Sequence, residues 1–428
     1  MNSFAPEQPR EELPPFPEDI VPTQKAGLAL IVTMAIAQFG LFVALLAPVT
    51  VSLALKIQEI VDADQSATAL GTVLSVAAFV ALVANPVVGR LSDLTTSRWG
   101  RRRPWMIWGC IVFLVGLATI AIAGSISLVL IGWAISQLGG NMILAPLLTT
   151  IADQVPEKQR GGVSANVGVM QNVGILVAAY VASWFVHNTF MLFLVPGLFA
   201  VATVVLYCVV LPDRQVRVHP SKGGIRTFLG TFWTNPVKYP DFGWAWLSRF
   251  CFILASFMFI TFRLYFLQDQ VNLTTENAVN AITVGLLIYT AALVVFAKVG
   301  GWLSDKLGRR KIFVILAVLI FAIGTYLLVH VTTLAAFYWV EAVMGIGAGI
   351  YWAVDMALVI DVLPNPDDAA KDLGVMNIAN ALPQSLAGVV GSIFLAVGGG
   401  GNYFLLYVMA AVIALAGAAA IIPIKKVR

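Results

Sequence analysis

The chain is 428 residues long, 59% hydrophobic and only 11% charged, with a formal net charge of +4. Soluble domains sit near a quarter charged, so this composition excludes an ordinary soluble protein. The positive balance does not indicate nucleic-acid binding, because the basic residues are interrupted by apolar blocks and concentrated in alternate loops.

Residues 1–24 are rich in Pro and acid and lack a basic stretch before an apolar core. They read as a disordered cytoplasmic tail rather than a cleavable signal peptide. Apolar blocks of about twenty residues follow, each long enough to cross a bilayer as a helix that satisfies its own backbone. They predict twelve spans, at 27–51, 68–90, 104–123, 126–152, 163–187, 189–211, 243–267, 278–302, 311–331, 333–361, 371–397 and 402–424. The expected fold is an all-α membrane protein, with six-helix bundles over 25–211 and 243–428 joined by a cytoplasmic linker, 212–242. Within the linker, IRTFLGTFW is suited to a short surface helix. Cys110, Cys208 and Cys251 all fall inside spans and read as packing residues, with no disulfide framework or metal-ligand spacing. His187 and His330 fall near outer helix ends and read as interfacial.

The loops after the even-numbered spans carry Arg98, Arg101 to Arg103, Lys158, Arg160, Arg214, Lys306 and Arg309 to Lys311, among others, against Lys56 alone on the opposite side. The positive-inside rule then places both termini in the cytoplasm. Two of these loops repeat across the linker. GRLSDLTTSRWGRRR returns as GWLSDKLGRRK, pairing Gly89 with Gly301, Asp93 with Asp305 and Gly100 with Gly308. ADQVPEKQRGGVSAN returns as IDVLPNPDDAAKDLGVMN, pairing Asp153 with Asp361 and Asn166 with Asn377. Parallel repeats around a midplane site are a transporter architecture. In each loop the glycines permit a tight turn, the acid closes one helix near the positive end of another, and the arginines can reach Asp153 or Asp361. Gly89, Asp93, Gly100, Arg101, Arg102, Arg103, Asp153, Arg160, Asp305, Gly308, Arg309, Arg310 and Asp361 are thus candidates for a cytoplasmic gate. The simpler reading is topology determination alone.

The run Asp305–Lys306–Leu307–Gly308–Arg309–Arg310 resembles the hallmark loop of the major facilitator superfamily. The longer first-half form, Thr96 to Trp105, resembles the matching loop of the sucrose transporters and their glycoside–cation symporter relatives. Gln38–Phe39–Gly40, Leu45 to Pro48, the stretch Asn141 to Asp153 and Ser164–Ala165–Asn166 extend that resemblance, which is best over 30–185. Those plant transporters carry an arginine two residues after the proline of that stretch, where this chain has Leu148, so any role resting on it does not transfer. The resemblance implies proton-coupled uptake of a sugar, a disaccharide such as sucrose or maltose; the chain is expected to be a monomer in the plasma membrane.

Ionisable groups inside a span are functional candidates by default. The second half carries Arg249 and Arg263 in span 7 and Glu341 and Asp355 in span 10. A 14-residue separation returns each pair to nearly one helix face, roughly 21 Å apart along the axis. Since the two spans run oppositely, Arg249 matches Asp355 in depth and Arg263 matches Glu341. The expectation is a two-rung charge ladder in which one acid titrates during transport. Asp355 is the preferred proton carrier, being deeper and sharing its face with Gly345, Ala348 and Trp352, residues suited to a cavity wall. Static salt bridges or snorkelling arginines are the competing reading.

Gln38, Gln137, Asn141, Gln171, Asn172, Asn380 and Gln384 offer the donors and acceptors that sugar hydroxyls need, and Trp352 and Tyr289 can stack on a pyranose. Ordinary helix–helix hydrogen bonding is the alternative for each. A drug or metabolite exporter of the same architecture is the rival function, and a membrane-embedded enzyme or receptor a distant one. No HExxH, GxSxG or GxxxxGK[ST] motif occurs, and no cofactor or metal is expected. The expected partners are the solute, H+ and the lipid bilayer.

Overall fold

The computed structural model of the chain describes residues 25–213, 234–364, 369–398 and 401–427. The expected tail over 1–24 and the surface helix over 225–233 lie outside the described residues. The described residues form long helices in the order α1 (Leu28–Gln58), α2 (Ala63–Asp93), α3 (Arg103–Ala121), α4 (Ile126–Gln154), α5 (Glu157–Trp184) and α6 (Thr189–Val210). The second half continues with α7 (Pro240–Asp269), α8 (Thr275–Leu307), α9 (Arg310–Leu327), α10 (Leu334–Val362), α11 (Ala369–Ala396) and α12 (Tyr403–Ile421). Eleven are long and apolar enough to cross a membrane; the exception is α5, whose first half carries Gln159, Arg160, Ser164 and Asn166. In α1 the ladder loosens into a π-helical stretch at Pro48–Ser52. The linker ends earlier than expected, because Pro240 and Asp241 start α7 in its first turn, where a missing N–H and a negative charge are both favourable.

The helix starts follow from local chemistry. Helices α4, α6, α8, α10 and α12 begin behind Ser125, Asn188, Thr274, Thr333 and Asn402, whose side chains accept from the first turn. Helices α3 and α7 instead begin with proline in the first turn, at the end of the molecule that carries the basic loops. Close packing within a half depends on small residues. Gly109 and Gly116 of α3 face Gly132 and Gly139 of α4, and a Cβ on Gly132 meets Ile120 Cγ1 at 2.8 Å and the Gly116 carbonyl at 3.0 Å.

The two repeated loops adopt matching roles. Gly100 and Gly308 both hold left-handed backbone, with φ of 96° and 61°. Gly89 and Gly301 lie inside α2 and α8 instead, so the turn does not need them. Arg102 donates through Nε to Asp153 at 2.9 Å and pairs with Asp93 at 2.6 Å, while Arg101 reaches Asp153 at 2.6 Å. Burial opposes the Arg102 charge, yet Asp153 and Asp93 outweigh it and raise its pKa above the ordinary arginine value. Arg310 pairs with Asp361 in the second half. One residue on, Arg103 donates to the Leu211 carbonyl after α6, and Lys311 to the Ile424 carbonyl after α12. Both ion-pair sets therefore brace helices of a single half.

Asp213, not singled out by the sequence, accepts from the backbone N–H groups of Arg102 and Arg103 at 2.8 Å each, and so caps α3. The hydrogen bonds described between the halves cluster toward the end opposite these loops. Gln58 donates to Gln268 at 2.7 Å, Tyr265 to the Ala54 carbonyl at 3.3 Å, Thr283 to the Ala179 carbonyl at 3.4 Å, and the Val389 N–H to Ser75 at 3.0 Å.

Gly132→Val should overfill the α3–α4 contact and destabilise the protein by about 1–3 kcal/mol, visible as a lower melting temperature in detergent. Asp213→Ala removes a cap and should lower stability by about 1 kcal/mol in the same assay, with Asp213→Asn largely retaining it.

Candidate functional site

The most unusual chemistry in the molecule sits between α7 and α10. Arg249 donates through Nε to Asp355 Oδ2 at 2.8 Å and through a terminal nitrogen to the same oxygen. Arg263 donates through Nη1 to Glu341 Oε1 at 2.9 Å. The structure thus brings all four predicted residues together in two rungs. Residue exposure is 3% for Arg249, 1% for Asp355, 2% for Arg263 and 0% for Glu341, so neither arginine snorkels to the surface. Charges this deep persist only when paired, since breaking one pair by removing a partner costs about 3–5 kcal/mol.

The two rungs differ in their surroundings. Beside the inner pair, Phe252 of α7 stacks on Tyr351 with ring centroids 3.8 Å apart, and Trp352 meets Phe252 edge-on at 6.3 Å. The Tyr351 hydroxyl lies next to Arg249 and Asp355 without completing a well-aligned hydrogen bond. Trp352 and Met356 remain substantially exposed. They occupy the stripe of α10 between the face on α7, marked by Tyr351 and Asp355, and the face on α8, marked by Ile350 and Ala353. Gly345 and Ala348 do not line a cavity as expected. Gly345 lies against the α8 backbone at Tyr289, where a side chain has no room, and Ala348 is wholly buried. Tyr289, expected to stack on solute, lies instead beside the Arg263–Glu341 pair.

In the first half the polar residues form a smaller, neutral cluster. Asn85 of α2 donates to Asn141 of α4 at 3.0 Å, and Asn141 donates to the Gln137 carbonyl at 2.8 Å. Gln38 is buried in α1, while Asn380 and Gln384 are half-buried on α11. The side chains of Gln171, Asn172 and Asn377 lie outside the described residues. Of the gate candidates, Arg160 donates to the Val155 carbonyl at 3.0 Å, and Asp305 and Arg309 are exposed. Asp305 borders a surface cavity of about 330 Å³ near Ser304, Arg310 and Asp361, away from the ladder.

Sequence reasoning passed over Asn85, Tyr351 and Lys298. Asn85 directly precedes Pro86 within a span, and Tyr351 lies one turn before Asp355; either position was a usable signal. Lys298, exposed on α8, is a further ionisable side chain within a predicted span.

Comparison with known proteins gives a consistent picture. The structure superposes on a mutant form of the nucleoside transporter NupG with a TM-score of 0.73 at 14% identity, covering 92% of this chain and 99% of that one. It superposes on a bacterial homolog of the human lysosomal transporter Spinster, captured inward-facing and unoccupied, with a TM-score of 0.68 at 12% identity, over 92% and 94% of the two chains. At such identities the likeness concerns the fold. Multidrug resistance protein 3 of Bacillus subtilis is 35% identical over 85 residues, and an uncharacterised symporter of Synechocystis sp. is 49% identical over 43 residues. These matches cover 20% and 10% of this chain and only 16% and 8% of those relatives. The likeness to sucrose and glycoside–cation symporters has no counterpart among these proteins. The family model described as Major Facilitator Superfamily matches residues 28–295 and 278–427, nearly the whole described molecule. A chain with that match and, among its described residues, a helical membrane-spanning architecture belongs to the Major Facilitator Superfamily, and is a multi-pass membrane transporter rather than an enzyme.

Proposed function

We propose that the protein takes up a sugar together with protons across the plasma membrane by alternating access between its two halves. The observation that carries this reading is the α7–α10 ladder, two buried carboxylates held against arginines, the inner pair beside the exposed Trp352. A permanently charged lone carboxylate would be costly there, whereas one that exchanges arginine for a proton as helices shift can load and release that proton. Asp355 is the carrier nearest the solute, next to the aromatic wall of Phe252, Tyr351 and Trp352. A proton crossing 100 mV supplies about 2.3 kcal/mol, adequate for solute accumulation. Asn85, Asn141, Gln137, Gln38, Asn380 and Gln384 offer neutral hydrogen-bonding groups for hydroxyls.

With both termini and the basic loops in the cytoplasm, the present conformer is fastened on its outer side by Gln58–Gln268, Tyr265, Thr283 and Ser75. These are neutral hydrogen bonds worth about 0.5–1.5 kcal/mol each, weak enough to exchange during a transport cycle. The ionic braces of the basic loops stay within each half and keep the halves stiff as they move.

An exporter on the same fold is favoured by one observation, the aromatic wall, together with the short likeness to a multidrug resistance protein. Uptake predicts sugar-dependent alkalinisation of a cell suspension, and export predicts resistance to toxic compounds instead.

Asp355→Asn should abolish proton-driven sucrose accumulation in vesicles, and unchanged accumulation removes Asp355 from the coupling role. A disulfide formed in the Gln58→Cys, Gln268→Cys double variant should hold the outer side shut, stop transport and be reversed by reductant; transport that survives complete cross-linking excludes alternating access through this closure.

A further inference from the structure

The ladder's outer rung is less completely bonded than its inner one. Arg249 directs two N–H groups at Asp355, but Arg263 gives a single hydrogen bond to Glu341. Glu341 Oε2 and Arg263 Nε are both buried and without a hydrogen-bond partner. So is the hydroxyl of Tyr407 on α12, a wholly buried residue within electrostatic reach of both. Leaving one such group unpaired costs about 1–3 kcal/mol. Three in one cluster, an acceptor, a donor and a hydroxyl that is either, match the needs of a mobile proton and the water that carries it.

Ring and hydrogen-bond contacts join Tyr407 to an exposed carboxylate. Tyr407 stacks on Tyr403, one turn earlier in α12, with centroids 6.4 Å apart. The Tyr403 hydroxyl donates at 2.6 Å to Asp269, the exposed last residue of α7. Phe266 packs edge-on against both tyrosines, at 5.6 and 5.1 Å, and Phe259 lies 6.2 Å from Tyr407 while its face meets the Arg263 guanidinium. The two tyrosines are therefore flanked by aromatic rings.

We propose that Asp269, Tyr403 and Tyr407 form a proton-entry relay that delivers a proton from the outer solution to Glu341 Oε2. Asp269 takes a proton from water. The Tyr403 hydroxyl passes its own proton toward Tyr407, through one water between the phenols, and is reprotonated from Asp269. Tyr407 likewise gives its proton to Glu341 and receives the one arriving from Tyr403. Only O–H bonds form and break, both phenols end neutral, and the net change is one proton moved from solution to Glu341. Arg263 then loses its ionic partner, which favours rearrangement of α7 against α10. Hydrogen-bonded to Glu341 is Arg263 from α7, and within electrostatic reach of it are Tyr289 from α8 and Tyr407 from α12; α9 presents Gly324 and Phe321 to α10.

This proposal rests on the proton-coupled reading, and its test needs no solute. Time-resolved infrared spectroscopy after an acid jump follows the carboxylic-acid band of Glu341 in the purified full-length protein. The band should appear in the unaltered protein, vanish in Glu341→Gln, rise about 100-fold more slowly in Tyr407→Phe, and keep its rate in the control Tyr326→Phe. Tyr407→Phe keeps the ring and deletes a hydroxyl that bonds nothing, so a merely structural role predicts no slowing. An unchanged rate in Tyr407→Phe, or a band that survives Glu341→Gln, overturns the relay. A normal relay in a protein that shows no proton-driven sucrose uptake overturns the functional reading instead, so the two failures are distinguishable.

Discussion

Two arginine–carboxylate pairs buried among apolar helices constrain this molecule more than any other feature. A charge buried among apolar helices has no solvent to fall back on, so each of the four side chains depends on one partner on the facing helix. That dependence fixes the rotation of α7 and α10 and their offset along the axis, because the pairs form only when both rungs align. The glycine contacts of α10 with α8, at Gly345 and Gly349, complete the arrangement by letting a third helix approach closely.

The two halves share a scaffold and differ in content. Their repeated loops perform the same mechanical tasks: a left-handed glycine, an arginine on the acid that ends a neighbouring helix, and a basic residue on the last carbonyls of the half. The interiors diverge. The first half offers amides at Asn85, Gln137 and Asn141, whereas the second concentrates ionic pairs and tyrosines. The asymmetry is chemical: neutral amides in the first half, buried ionic pairs and tyrosines in the second.

Interactions of different strength also occupy different places in the molecule. Ionic braces with several hydrogen bonds tie helices inside a half, whereas single neutral hydrogen bonds and the exposed His187–Glu276 pair at 3.9 Å tie the halves to one another. Helix α1 contributes to the second class from a segment that follows its π-helical stretch, a local loosening often found at functional sites. In the proposed cycle the halves move as stiff bodies and the contacts between them exchange.

Hydropathy, charge and the recurring loop motifs by themselves determined the class of protein, its internal repeat and the partners within the ladder, because lipid leaves a chain only a few ways to satisfy backbone and charge. Arg249, Arg263, Glu341 and Asp355 were legible from spacing and opposite helix direction alone. Contacts between residues distant in sequence were not. Asp213 capping α3, Tyr351 beside Asp355, the column from Asp269 through Tyr403 and Tyr407, and the packing of Gly345 against α8 all arise from how helices lean on one another. Periodicity gives the face a side chain occupies on its own helix, but which neighbour that face meets, and at what depth, is decided only when the whole bundle packs.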